Sequence, residues 1–315
     1  MLLLLLMYIL SFHMVMNSDD WFMVWLGLEI NMMMFIMIMF VRYNMFNIES
    51  CLKYFFIQSL GSAIFMALFY LKSEFMDIIL CLVLSYKIGV GPFYYWFPSV
   101  CGGISWMSCF LLMGFQKIIP LLLMSVFVSW VIFYVTMVSL FAGVFGSFNQ
   151  SNLKWLIAYS SVYHVGWILL CIYSNNLLWV NYLFIYLILI FPVIFFFKNN
   201  NMEDLLDMLL VKNKKLLVIL LLSMAGMPPF LGFFLKWFVF VKIMNFMYFY
   251  MIMLIISSIV MFYVYFRIMY DILLGYFSVG NWLKKINYNE KYIWFDFLSD
   301  LGLLLGVIGS LLLLM

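Results

Sequence analysis

Charge is the first thing this sequence is short of. Only 9% of its 315 residues are Asp, Glu, Lys or Arg, against roughly a quarter in soluble domains, so an ordinary soluble domain is excluded. The net charge of +3 is scattered with no basic tract, and no nucleic-acid partner is expected. Arginine occurs only at 42 and 267, and alanine only at 63, 67, 142, 158 and 225. Phe, Met, Tyr, Ile and Asn are abundant instead, a usage that fits an AT-rich organelle genome. The five cysteines (Cys51, Cys81, Cys101, Cys109, Cys171) form no C-x-x-C pair. They read as small apolar packing residues, and no metal or iron–sulfur centre is implied. No glycine-rich dinucleotide motif is present either. The first sixteen residues have the length of a signal peptide, without its basic n-region or small-residue cleavage site, so they are read as a retained first span.

What fills the chain is apolar: 69% of it is hydrophobic, in runs of about eighteen residues or more that are long enough to cross a bilayer as helices. Backbone groups in lipid must be satisfied within the protein, which leaves helices or a closed barrel, and continuous rather than alternating runs select helices. The expected fold is an all-α polytopic transmembrane bundle of about eleven spans. They fall near 2–16, 21–40, 51–71, 75–97, 104–124, 126–147, 153–173, 177–197, 215–235, 240–268 and 292–314. The break between spans five and six is short, with only Ser125 to Ser129 as a turn. Arg42, Lys53, Lys154, Lys198, Lys212, Lys214, Lys215, Arg267, Lys284, Lys285 and Lys291 fall on one side of this arrangement. Lys72 and Lys242 fall on the other, with Asp19 and Asp20. The positive-inside rule then puts the N-terminus on the positive face and the C-terminus opposite. The loop 198–214, with the amphipathic stretch Met202 to Asp207, is expected to lie on the positive face as a short surface helix.

Two spans carry helix-breaking sequences. Span four contains Lys87-Ile-Gly-Val-Gly-Pro-Phe93 and span nine Ala225-Gly-Met-Pro-Pro-Phe-Leu-Gly232. Proline removes a donor and glycine tolerates irregular dihedrals, so both helices should be interrupted. Irregular backbone at membrane depth has to face protein or a wet cavity. An odd offset between spans four and nine means that they cross in opposite directions. Broken segments at matching places in two halves point to an inverted-repeat transporter. One transmembrane domain over 1–315 is expected, with span 1 at 2–16, half one at about 21–147 and half two at about 153–314. Two kinks made for packing alone are the plainer reading.

Charged residues inside spans cost roughly 2.5–3.5 kcal/mol each on insertion scales. Glu29 lies midway through span two, Lys87 just before the first break, and Lys117 after Gln116 in span five. Lys236 follows the double-proline break in a run from 215 to 244 without a polar loop. As a straight helix that run would reach roughly 45 Å, and an unwound centre keeps Lys236 within the membrane. A Glu–Lys pair can serve structure, but three lysines cannot be paired by one glutamate. A desolvated lysine beside a movable carboxylate can gain and release a proton. Glu29 and Lys87 are therefore expected to form a modulating ion pair, with Lys117 and Lys236 carrying protons through the central and exit portions of a path. Asn31, Gln58, Gln116, Ser160, Ser161 and Tyr163 could hold bridging waters. His164 sits mid-span with a side chain suited to proton transfer and is a secondary candidate, a hydrogen-bonded structural role being equally open. His13 receives no role.

Several of these segments resemble one family in order. They are Trp25-Leu-Gly-Leu-Glu-Ile-Asn31, Glu49-Ser-Cys-Leu-Lys-Tyr-Phe55, Lys87 to Trp96, Gln116-Lys-Ile-Ile-Pro120, Asn149-Gln150 with Ala158 to Ser161, His164-Val-Gly-Trp167, and Pro228 to Gly232 with Lys236-Trp237. Together they resemble the chain 2 family of mitochondrial NADH:ubiquinone oxidoreductase (respiratory complex I), over most of the chain and more weakly after about residue 245. The resemblance implies an antiporter-like membrane-arm subunit, multi-pass in the mitochondrial inner membrane, with the positive side as the matrix. It implies that Glu29 pairs with Lys87, that Lys117 is the central proton carrier and that Lys236 serves the terminal half-channel. It also implies that FMN, iron–sulfur clusters and ubiquinone sit in other subunits, with none in this chain. The expected partners are other membrane-arm subunits, inner-membrane lipids and protons. Bacterial relatives carry three additional N-terminal helices that have no counterpart in this sequence.

Two further function classes stand beside this one. A stand-alone cation/proton antiporter would share broken helices and buried lysines, and a structural spacer would tolerate loss of Lys117. Moving one charge against roughly 150 mV costs about 3.5 kcal/mol. No nucleotide motif here supplies that energy, so it is expected to come from a partner.

Overall fold

A computed structural model describes residues 2–71, 76–174, 177–211, 213–228, 230–243 and 248–279. Regular structure among them is helical apart from one isolated antiparallel bridge between Asn152 and Asp204. The chain divides into two compact units, Met1–Gly143 with Ser161–Asn176, and Val144–Ser160 with Leu177–Met315.

The first unit begins with α1 (Leu2–Asn17), α2 (Trp21–Met39) and α3 (Met45–Leu71). α4 (Met76–Ile88) ends in a 3-10 turn, Gly91–Phe93, and the chain re-enters helix as α5 (Trp96–Gly103). α6 (Trp106–Met113) and α7 (Phe115–Val126) follow, then most of α8 (Val131–Ser147). Residues 161–173 of α9 (Leu153–Tyr173) complete the unit. α2 packs on α1 and α3, α3 on α4 and α5, and α7 on α4 and α6. Phe35, Met39, Tyr54, Phe65, Leu80 and Leu84 are buried at these contacts. Met37, Phe56, Leu60 and Tyr134 are exposed. In water such a surface would be a liability, whereas in hydrocarbon it is the solvent-facing side of a spanning helix.

The second unit holds residues 144–160, then α10 (Leu178–Asn199), α11 (Leu205–Leu210), α12 (Lys214–Ala225), α13 (Leu231–Ile243) and α14 (Tyr248–Val279). α10 packs on α12 and α13, α12 on α13 and α14, and α11 on α14. α11 is a short helix within the loop 198–214, set a few residues later than the amphipathic stretch expected there. A capping box between Asp204 and Asp207 starts it. The N–H groups of Asp204 and Glu203 donate to the Asp207 carboxylate at 3.0 and 2.9 Å. Those bonds hold the Asp207 carboxyl below its ordinary value, so the cap is intact at neutral pH and fades as pH falls through the carboxylate range. Replacing Asp207 with alanine is expected to cost about 1 kcal/mol of local helix stability. Hydrogen–deuterium exchange over 205–210 at neutral pH would show it as faster exchange than in the parent.

Among the described residues, seven helical segments are long and apolar enough to cross a membrane, fewer than the eleven expected. The reasons are local. Leu3–Asn17 and Val131–Ser147 are apolar but shorter, and α12 and α13 split one expected crossing between them. The last expected span, 292–314, lies outside the described residues, as do Lys72, Lys212, Lys284, Lys285 and Lys291. Span nine, expected at 215–235, becomes α12 and α13 with an unwound centre between them, and α13 runs on to Ile243, past the expected start of span ten at 240. The short turn expected near 125–129 falls between Val126 and Val131.

Candidate proton-relay site

Lys87 occupies the last turn of α4, where unpaired carbonyls favour a cation. The helix stops because Gly89 turns left-handed at φ +75°. The N–H groups of Gly89 and Val90 both close on the Ser85 carbonyl, at 3.0 and 3.1 Å. Side chains satisfy two more carbonyls of that end. Gln58 on α3 donates to the Lys87 carbonyl at 2.8 Å, and the Trp96 indole donates to that of Tyr86 at 3.0 Å. α3 is also notched for the lysine, since a Cβ at Gly61 would stand 2.8 Å from Lys87 Cγ.

Glu29 on α2 is half-buried and accepts a hydrogen bond from the Ser62 hydroxyl of α3. Glu29 and Lys87 make no ion pair within 4.0 Å. The carboxylate is taken by Ser62 instead. Lys53–Glu49 at 2.6 Å and Lys154–Glu203 at 3.4 Å are ion pairs that lie elsewhere.

Lys117 is 3% exposed. Its ammonium donates to Ser161 Oγ at 3.1 Å and stands 4.3 Å from the centre of the Phe97 ring. A helix discontinuity precedes it that the sequence reading did not foresee. Gly114, at φ −112°, ψ −79°, distorts the helix there and separates α6 from α7. Pro120 inside α7 removes the N–H that would bond the Gln116 carbonyl. Asn31 and Gln116 pair their amides reciprocally at 3.2 and 3.4 Å. Lys87, Lys117, Asn31, Gln58 and Gln116 line one cavity of about 20 Å³, room for about one water molecule.

In the second unit, α12 closes on Gly226, left-handed at φ +81°, and the chain resumes as α13. Lys236, 6% exposed, reaches back from α13 to donate to the Ala225 carbonyl at 2.7 Å. A larger cavity of about 360 Å³, walled by Trp237, Phe240, Ser258 and Phe262, opens beside Lys236. His164 is 1% exposed and packs edge-on against Tyr163, with ring centres 5.4 Å apart. His13 is exposed beside Asn17. No cluster of metal-ligating side chains occurs among the described residues.

Thus Lys87 and Lys117 share a cavity with three of the polar neighbours expected to hold water, and Ser161 touches Lys117 directly. Gly61, Ser62 and Phe97 had not been singled out. Ser62 lies four residues from Gln58 on α3, a helical spacing that could have flagged it. Nothing local marks Phe97.

Helices interrupted beside buried lysines belong to a known class of protein. Residues 18–74 and 68–262 match the family model for the transmembrane region of NADH:quinone oxidoreductase and Mrp antiporter proteins. The fold is similar to a chain of respiratory complex I from Thermus thermophilus, with TM-score 0.79 and 22% identity over 99% of this chain and 78% of that one. It is also similar to a chain of the Mrp complex from Dietzia, with TM-score 0.78 and 16% identity over 98% of this chain and 75% of that one. In sequence, the chain is 34% identical to NADH-ubiquinone oxidoreductase chain 2 of Anopheles gambiae, over 96% of this chain and 95% of the relative. It is 32% identical to the chain 2 protein of Aedes aegypti over 92% of each. The chain belongs to the antiporter-like NADH:quinone oxidoreductase/Mrp family and, within it, to the NADH-ubiquinone oxidoreductase chain 2 proteins.

Proposed function

We propose that this chain is the antiporter-like, proton-translocating chain 2 subunit in the membrane arm of mitochondrial complex I. The observation that carries this reading is the cavity shared by Lys87 and Lys117, two buried lysines each set beside a helix discontinuity. The membership of the chain 2 family and the length of the match support it.

Glu29 modulates Lys87 through space, Lys87 exchanges a proton with Lys117, and Lys236 serves the exit portion of the path, with His164 a secondary candidate. A charge-state change at Glu29 alters the cost of holding a proton on Lys87, which drives the exchange. The chain spans the mitochondrial inner membrane, with its N-terminus on the matrix side and its two broken helices in the two halves of an inverted repeat. FMN, iron–sulfur clusters and ubiquinone work in other subunits, and redox energy reaches this one through its membrane-arm neighbours. Inner-membrane lipids surround it. A stand-alone cation/proton antiporter is the second reading, and likeness to the Mrp chain supports that at the level of fold alone.

Native-gel electrophoresis of digitonin-solubilised mitochondrial membranes, with peptide mass spectrometry of the bands, separates the two. The chain is expected to migrate in a very large assembly with NADH dehydrogenase activity. Migration alone, or in a small assembly without that activity, favours the antiporter.

A further inference from the structure

The cavity between Lys87 and Lys117 has a wall made of two side-chain amides that use each other. Asn31 on α2 donates to Gln116 Oε1 at 3.2 Å, and Gln116 on α7 donates back to Asn31 Oδ1 at 3.4 Å. Both amides line the cavity, and Gln116 is the residue immediately before Lys117. Gln58, the third amide of the lining, is committed to the Lys87 carbonyl at 2.8 Å and so holds the end of α4 in place. The Asn31–Gln116 pair holds no backbone group in this way.

While the pair is closed, about 20 Å³ is open, enough for about one water. Opening the pair turns one amide donor and one carbonyl acceptor on each side toward the cavity, and a short chain of waters can then be bound by its walls. Two features of α7 make Gln116 movable. Gly114 has already separated it from α6, and Pro120 leaves the Gln116 carbonyl without its usual intrahelical donor.

We infer that the Asn31–Gln116 amide pair is a gate, whose opening sets the rate at which protons pass between Lys87 and Lys117. The step balances simply. The Lys87 ammonium gives a proton to a bridging water as that water gives one of its own to the neutral Lys117 amine. Lys87 ends neutral, Lys117 ends charged, and no water is consumed. Asn31 and Gln116 act as positioning residues, since they hold and orient the water without exchanging the proton. This inference rests on the relay reading of the two lysines.

The test uses the intact complex in sealed membrane vesicles, with NADH as electron donor and a pH-sensitive dye as readout. Gln116→Met keeps the length of the side chain and removes its amide. Pumping is expected to slow about tenfold, because methionine cannot bind or orient the bridging water once the wall is open, a loss of one hydrogen bond of ordinary strength to that water. The solvent deuterium isotope effect should rise with it. The exchanged pair, Asn31→Gln with Gln116→Asn, keeps both amides and their summed length, and is expected to restore pumping to within about twofold. Parent-like pumping in Gln116→Met overturns the gate, as does an exchanged pair as slow as Gln116→Met. Should Gln116→Met fail to assemble on a native gel, Asn31→Leu removes the amide from the other side and is read by the same criteria. Lys117→Met, run alongside, distinguishes the two levels. If it pumps normally the relay reading itself fails, whereas if it is inactive while Gln116→Met pumps normally, only the gate fails.

Discussion

Replacing Lys117 with alanine is expected to lower proton pumping by the intact complex at least ~100-fold, the lower end of what a positioned proton-transfer group contributes. The geometry leaves no substitute. The Lys117 ammonium bonds Ser161 and faces the Phe97 ring, and the hydroxyl and the ring together cannot carry a charge between two sites. Alanine also leaves a void beside Phe97, so Lys117→Met, which fills the space, separates lost chemistry from lost packing. Both variants should assemble with the complex and both should fail to acidify or alkalinise sealed vesicles on NADH addition. Full pumping stoichiometry in Lys117→Met would falsify the relay assignment and leave the structural-spacer reading standing.

A second large effect is expected far from any charge. A Cβ at Gly232 would lie 2.0 Å from the backbone oxygen of Ser223 and 3.3 Å from the Cα of Gly226. Those neighbours are main chain of α12 and its cap, so no rotamer change relieves the overlap. Gly232→Val must push α13 off α12, and with it the arm that brings Lys236 to the Ala225 carbonyl. Overpacking of this kind costs roughly 1–3 kcal/mol and more where backbone has to move. That is a large share of the stability of any domain. The complex should be recovered in reduced amount and lose activity at lower temperature than the parent. Parent-like yield and heat resistance would show that α12 and α13 do not approach as closely as described.

Much of this was legible because membrane proteins write their constraints in composition. Continuous apolar runs imply helices, and the pairing of proline and glycine with lysine marks Lys87 and Lys236 in the sequence itself. Gly226 and Gly89 then adopted the left-handed turns that such breaks require. The discontinuity at Gly114 stayed hidden, since a lone glycine in an apolar helix usually signals packing, and its backbone angles are open to any residue. The Glu29–Lys87 pair looked like a contact because opposite charges in lipid should meet. Ser62 shows why proximity in composition is insufficient: one hydroxyl on a third helix holds the carboxylate, and no contact with the lysine forms. Span count suffered for a different reason. Length rules treat a crossing as one helix, and α12 with α13 makes one from two.

The two hydrogen-bonded lysines differ in how much their surroundings notice whether they are charged. Lys236 holds a carbonyl, and a neutral amine still has N–H groups with which to hold it. Its anchorage is therefore weakened but not abolished by loss of the proton, and the broken end of α12 keeps a donor through a titration. Lys117 faces an aromatic ring, whose attraction is for a cation and vanishes with the charge. On becoming neutral it keeps only its link to Ser161 and is released from Phe97. One lysine is a fixed post and the other a swinging arm, although both are buried.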